Sequence, residues 1–291
     1  VDQVMPALPY YLGLPLWANP QWKGSVFPVD AKAADFLAHY AQVFNAVEGN
    51  STFYSVPSVE MVSRWLAATP ESFRFSFKFP RTITHQHHLS QAAQETQVFL
   101  QRMTPLGQRL DGLMVQLPAT FSPADLPTLE TFLRRLPTDF TYAVEVRHPA
   151  FFTQPAVRAA YNALLATLGV DRVIFDSRPL HSAAPVAEAT RDAQRRKPRL
   201  PVQLDTPGNQ PVIRYIGHPV LAENHAWLER WVAQTARWLM EGKCPRVFLH
   251  TPDNTFAPAL ARLFHQQLQQ RIPTLPDLPA WITTPQQATL L

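Results

Sequence analysis

Phe140-Thr141-Tyr142-Ala143-Val144-Glu145-Val146-Arg147-His148, stopped by Pro149, reads as a short β-strand dominated by β-branched and aromatic residues. Side chains alternate along a strand, so Ala143, Glu145 and Arg147 share one face while Tyr142, Val144 and Val146 share the other. A carboxylate and a guanidinium therefore sit together at the C-terminal end of an otherwise apolar strand. Such a pair adds nothing to an apolar strand unless water, a ligand or other charges meet it there.

The same design recurs outward in both directions. Tyr10 to Trp17 reads as a first strand. Val43 to Asn50 alternates, with Phe44, Ala46, Glu48 and Asn50 on one face. Phe73 to Phe79 places its phenylalanines on one face and Arg74, Ser76 and Lys78 on the other. Further strands run from Gly112 to Leu117 ending near Gln116, from Arg172 to Ser177 with Ile174 and Asp176 sharing a face, from Val212 to Gly217 carrying Arg214, and from Arg246 to Thr251 carrying His250.

Between them lie helical patterns: Ala31 to Tyr40 with Asp30 as its N-cap, a stripe of Met61, Val62, Trp65 and Leu66 capped by Ser58, Ala92 to Met103, Pro123 to Leu136, Ala156 to Leu168 closed by Gly169, Leu221 to Met240 and Ala257 to Gln270. About eight strands alternating with about eight helical segments imply a parallel sheet with helical crossovers. One uninterrupted series points to a closed (β/α)8 barrel of TIM type. We expect an N-terminal tail over 1–9, a single barrel domain over 10–271 and a C-terminal tail over 272–291 lying on the surface. Residues 179–210, rich in Pro, Arg and Ala, read as an inserted loop after strand six with room for a short helix.

Composition agrees with a globular chain. The 291 residues are 46 % hydrophobic and 16 % charged. No apolar run approaches the roughly 20 residues of a membrane span, so no membrane association is expected. Val1 to Pro9 lacks the basic and apolar regions of a signal peptide. The single cysteine, Cys244, excludes an intrachain disulfide and a cysteine-rich zinc site, and suits a cytoplasmic location. Glycine is scarce and proline abundant (9 against 29), and neither a GxGxxG nor a P-loop pattern occurs, which counts against a nucleotide cofactor.

If the barrel closes, strand C-termini converge on one mouth. The polar residues that end the inward faces are Glu48, Asn50, Lys78, Gln116, Glu145, Arg147, Asp176, Arg214 and His250. Together they read as a preorganised site for a small anionic or polyhydroxylated molecule. Glu145 is the candidate general base, with Lys78 or His250 as the acid. Arg147 and Arg214 would hold a carboxylate or phosphate, and Asn50 and Gln116 would orient hydroxyls. Taken singly, each has a structural reading: a rim ion pair for Glu145 and Arg147, charge neutralisation for Lys78, a core histidine for His250, a loop cap for Asp176.

No cofactor is required by this pattern. A divalent metal on Glu145, Asp176 and His250 is the alternative, opposed by the nearby cations. The cluster His85-Gln86-His87-His88 invites a metal reading too, but as loop residues without an established geometry its members make the weaker candidate. The basic run Arg191, Arg195, Arg196, Lys197 and Arg199 is a solvated loop or a phosphate contact, leaving open a nucleic-acid-binding or phosphodiester-cleaving protein. A non-catalytic metabolite sensor is a third reading.

Four motifs carry a family resemblance: Val47-Glu48-Gly49-Asn50-Ser51-Thr52-Phe53-Tyr54 with Val56-Pro57-Ser58, Phe77-Lys78-Phe79-Pro80-Arg81 with Ile83-Thr84-His85, Val115-Gln116-Leu117-Pro118 with Phe121, and Glu145-Val146-Arg147-His148-Pro149. In that order and separation they resemble the YecE-like family, a bacterial and archaeal family of unknown function (domain of unknown function 72). Asp176-Ser177-Arg178-Pro179 with Arg191-Asp192-Ala193-Gln194, and Phe248-Leu249-His250-Thr251-Pro252-Asp253, look like its YecE branch. The resemblance implies a TIM-type barrel and singles out Glu48, Asn50, Lys78, His85, Gln116, Glu145 and Arg147. It implies no activity. The eighth strand departs from the family pattern, with His250 and Thr251 where relatives carry paired asparagines.

Overall fold

The computed structural model describes residues 5–280. Eight parallel strands follow one another around the molecule: β1 (Tyr11–Leu14), β2 (Ala46–Gly49), β3 (Arg74–Phe77), β4 (Leu113–Gln116), β5 (Tyr142–Glu145), β6 (Asp171–Asp176), β7 (Val212–Ile216) and β8 (Arg246–His250). β1 pairs with both β2 and β8, which joins the two ends of the chain in one wall. The seam between β3 and β4 is held by isolated bridges at Phe75 with Leu110 and Lys78 with Met114, so the barrel is nearly closed.

Helices pack outside: α1 (Phe36–Tyr40), α2 (Val59–Ala68), α3 (Ala93–Met103), α4 (Leu126–Arg135), α5 (Ala150–Thr153), α6 (Pro155–Leu168), α7 (Arg178–Ser182), α8 (Glu188–Arg196), α9 (His225–Met240) and α10 (Ala257–Arg271). Local chemistry sets several boundaries. Ser58 accepts the Met61 N–H at the start of α2, and Gly169 takes φ +64° to end α6. Asp30 caps no helix, because α1 starts only at Phe36 after a 3-10 turn, Ala33–Asp35.

Alternation along the strands divides the interior from the outer layer. Phe73, Phe75, Phe77 and Phe79 face the helices and are fully buried, each stabilising the fold by about 1.5–3 kcal/mol. Inside, Ala46, Met114, Ala143, Val173, Val212 and Phe248 form one apolar layer, with Tyr11 at its edge. Below it, at the strand N-termini, Arg246 bonds Asp111 and the Gln210 carbonyl and lies 3.6 Å from Asp171. This cluster of paired charges fills the barrel interior at its N-terminal end.

Two expectations change. Residues 272–280 do not simply cover the surface: Leu275 and Leu278 are buried with the core, and His265 Nε2 lies 2.8 Å from the Pro276 carbonyl oxygen. The remainder of the expected tail, and its counterpart at residues 1–4, fall outside the described residues. The inserted segment contains two helices, α7 and α8, which form a hairpin. Its Leu180 and Ala193 pack on Phe175 and Ile216, both interior residues near the ends of β6 and β7. The hairpin is therefore a roof over one side of the mouth.

Candidate active site at the barrel mouth

Arg214, projecting inward from β7, ties the site together. Its Nε and Nη2 donate to the two carboxylate oxygens of Glu48 at 2.7 Å each, and its Nη1 donates to Glu145 Oε2 at 2.6 Å. The other oxygen of Glu145 accepts from Arg147, whose Nε lies at 2.8 Å and Nη2 at 2.7 Å. Both guanidiniums lie over the ring of Phe175, at 5.5 Å for Arg147 and 5.4 Å for Arg214. Glu48 also meets His250 Nε2 at 3.3 Å and Lys78 Nζ at 3.7 Å. Lys78 is left with the longest contact, because Arg214 already occupies both Glu48 oxygens. Its ammonium lies 5.7 Å from the Phe53 ring centre.

Electrostatics follow from this crowding. Burial would push Glu145 up, but Arg214, Arg147 and Lys78 more than offset it and hold the carboxyl at about 2. Glu48 behaves alike: burial is outweighed by Arg214, His250 and Lys78, leaving it well below the usual carboxylate range. Burial and then Arg214 depress Lys78 well below an ordinary lysine. His250 is lowered to about 4, chiefly by burial against the pull of Glu48. His85 is also lowered to about 4, by burial and then Arg147. Near neutral pH the carboxylates are charged, both histidines are neutral, and Lys78 is the group pressed toward the free amine.

Strand pleat explains which residues meet. Gln116 lies opposite Glu145 in the β4–β5 register and is 5 % exposed, yet its Oε1 has no hydrogen-bond partner among the described residues. Asn50 sits at the rim, donating to the Pro15 carbonyl at 2.9 Å and so pinning the loop after β1. His85, in a π-helical turn over Thr82–Gln86, bonds Thr84 Oγ1 at 2.8 Å and meets Phe53 edge-on. Its neighbour His87 instead faces Glu95 at 3.5 Å.

Asp176 does not join the cluster. On β6 the inward residues are Val173 and Phe175, which pair in register with Val212 and Arg214, so Asp176 points out toward the helices. There it accepts from Trp231 Nε1 at 2.8 Å and from Arg178 Nε and Nη2 at 2.9 and 2.7 Å. The metal set Glu145, Asp176 and His250 is thus not assembled. Among the described residues no group of three or more His, Cys, Asp or Glu side chains gathers with metal-holding geometry.

Two residues absent from the strand-based expectation belong here. Phe175 supplies the platform under both guanidiniums. Lys197, just past α8, is lowered to about 8 by burial and then by Arg214, with Glu48, Arg147 and Glu145 also acting on it. The rest of its basic run turns outward. Arg191 donates to the Val186 carbonyl at 2.6 Å, Arg195 pairs with Asp192, and Arg196 donates to the Asp192 carbonyl at 3.3 Å. Cys244 lies at the opposite, N-terminal end of the barrel, two residues before β8. Among the described residues, no helix is long and apolar enough to cross a membrane.

Comparison with known proteins places this arrangement in context. The family model described as "Protein of unknown function DUF72" matches residues 11–284. The "UPF0759 protein YecE" of Escherichia coli strain K12 is 42 % identical over 280 residues, spanning 96 % of this chain and 99 % of that protein. Its O157:H7 counterpart matches equally, at 42 % over 280 residues. Among solved structures, a DUF72 family protein from Thermotoga maritima superposes with a TM-score of 0.67 at 21 % identity, covering 91 % of this chain and 99 % of the other. One from Enterococcus faecalis gives 0.66 at 20 % identity, covering 91 % and 97 %. The structural likeness supports the TIM-type barrel.

Proposed function

The chain belongs to the DUF72 family, and from that premise we propose that it is an enzyme working by general acid/base chemistry on a small anionic or sugar-like substrate at the C-terminal mouth of its barrel. One observation carries the reading: Arg214 bridges Glu48 and Glu145 so completely that Lys78, buried beside them, is left in a local excess of positive charge. A structural ion-pair network would balance its charges. This one has the two carboxylates of Glu48 and Glu145 matched by the guanidiniums of Arg147 and Arg214, with the amines of Lys78 and Lys197 beside them in excess. An anionic substrate is the charge that would let those amines keep their protons.

The roles differ from those read off the strand alone. Glu145 is a poor base near neutral pH, since both its oxygens are taken by guanidiniums and its carboxyl titrates at about 2. Glu48 and Glu145 are better suited to hold Arg214 and Arg147 rigidly toward the ligand. Lys78, whose amine is pressed toward neutrality, takes the proton-transfer role, with Glu48 at 3.7 Å beside it and neutral His250 holding Glu48 from the other oxygen. No metal or cofactor is needed for this assignment.

Solvent-exchange spectroscopy tests it. Hydroxy acids, keto acids and sugar phosphates incubated with the protein in D2O are followed by proton NMR for exchange or turnover. The expected result is exchange or conversion of at least one compound, lost in Lys78→Met and retained in Lys32→Met at the exposed surface. Undiminished exchange in Lys78→Met, or none with the native chain across the panel, contradicts the proposal.

A further inference from the structure

Lys197 is held in place by its backbone, while its side chain has no hydrogen-bond or ion-pair partner among the described residues. His181 Nε2 lies 3.2 Å from the Lys197 carbonyl oxygen, and Ser177 Oγ donates to the next carbonyl, that of Pro198, at 2.6 Å. Gln194 ties α8 to α7 through the Leu180 and Ala183 carbonyls, at 2.9 Å each. Asp176 fixes the start of α7 by accepting the Arg178 N–H and guanidinium. The hairpin thus packs on the barrel interior at Phe175 and Ile216 and is anchored at both ends. Lys197, partly buried at the end of α8, therefore stands where the hairpin covers the strand ends that carry Phe175 and Arg214, and Glu48, Glu145 and both mouth guanidiniums act on it. No hydrogen bond or ion pair ties the Lys197 ammonium among the described residues.

Gln116 gives an independent sign of a ligand. It is 5 % exposed, its carboxamide oxygen lacks a donor among the described residues, and it stands opposite Glu145, one of the carboxylates that acts on Lys197. A buried acceptor without a donor costs about 1–3 kcal/mol, a cost a ligand hydroxyl removes. An unpartnered cation and an unpartnered acceptor on the same mouth define complementary chemistry: an anionic group with a hydroxyl nearby.

We infer that the α7–α8 hairpin is a specificity element, and that its Lys197 anchors the carboxylate or phosphate of a small ligand whose neighbouring hydroxyl is held by Gln116. This rests on the reading of the mouth as a ligand site and names the class of ligand it takes. Lys197 is a binding residue in this scheme and takes no part in proton transfer.

Calorimetric titration with glycerol 3-phosphate, inorganic phosphate and glycerol tests the assignment on the full chain, as native protein and as Lys197→Met, Lys197→Arg, Gln116→Leu and Lys32→Met. The native chain should bind glycerol 3-phosphate more tightly than phosphate. Lys197→Met should weaken both by about tenfold or more, with Lys197→Arg intermediate, which corresponds to about 1.4 kcal/mol. Gln116→Leu should bring glycerol 3-phosphate down to the level of phosphate while leaving phosphate itself unchanged. Equal binding by Lys197→Met and the native chain overturns the inference, as does an equal loss in Lys32→Met or no uptake of either anion. Loss of the proton-transfer reading leaves a different trace: anion binding stays sensitive to Lys197 while no compound exchanges in D2O.

Discussion

Arg214 on β7 and Glu145 on β5 are joined by a 2.6 Å hydrogen bond, with each side chain 1 % exposed. The same guanidinium grips Glu48 on β2, so three strands far apart in the chain are fastened at one point in the barrel mouth. Removing one partner of a buried pair leaves the other charge stranded, which is far costlier than never building the pair. Arg214→Met should therefore destabilise the protein by about 3–5 kcal/mol. Urea unfolding measures this, and a loss no larger than that of a surface arginine such as Arg134→Met would contradict it.

Removing Lys78 should act the other way. Its amine is pressed toward neutrality by burial and Arg214, and it meets Glu48 only at 3.7 Å. Lys78→Met is expected to leave stability unchanged or to raise it by about 0.5–2 kcal/mol, as is common when a functional site is relaxed. Destabilisation comparable to that of Arg214→Met would make Lys78 a structural ion-pair partner instead.

Several groups shape the acid limb of stability: His250, His85, Glu145 and Glu48 act with one sign, and Asp171, raised to about 6 by burial, with the other. His250 titrates at about 4 in the fold against an unfolded value of 6.5, so the unfolded chain binds more protons as pH falls through that window. Glu145, at about 2 against 4.5, extends the loss lower still. Stability from both is complete above pH 6.5, and it declines from 6.5 to 4 through His250 and from 4.5 to 2 through Glu145. Each contributes on the order of 3 kcal/mol. In denaturant titrations from pH 7 to 4, His250→Gln should flatten the upper part of the slope, and an unchanged slope would remove His250 as its source.

Asp176 has a structural task that can be read separately from the site. Its carboxylate joins Trp231 on α9 to Arg178 at the start of α7. Asp176→Ala leaves a buried indole N–H and a guanidinium unsatisfied, at a cost of about 1–3 kcal/mol. Limited proteolysis should show faster cleavage between α7 and α8 in this variant. Cleavage at the native rate would mean that the hairpin is held by its apolar contacts alone.

Much of this arrangement is visible in strand periodicity. Glu48, Lys78, Gln116, Glu145 and Arg214 each stand out because a polar side chain interrupts an apolar strand near its C-terminal end, and two-residue alternation fixes their face. β6 defeats that logic. All six of its residues, Asp171 to Asp176, are buried, so neither face is marked as solvent or core. Asp171 and Asp176 lie on opposite faces, and only the pairing of Phe175 with Arg214 shows which turns inward. Lys197 was hidden for another reason. It belongs to no strand, and its basic neighbours give the whole run the look of a solvated surface. Its position depends on the packing of Leu180 and Ala193 onto the barrel interior, a long-range contact that local pattern does not encode.

A crystal structure grown with glycerol 3-phosphate would show directly where the anion and its hydroxyls bind. The ligand is expected above the apolar interior layer, with its phosphate against Lys197 and Arg147, a hydroxyl at Gln116 Oε1, and Lys78 Nζ close to its carbon chain. A ligand bound instead along the outward arginines of α8, or no ligand at the mouth at saturating concentration, is the opposite result.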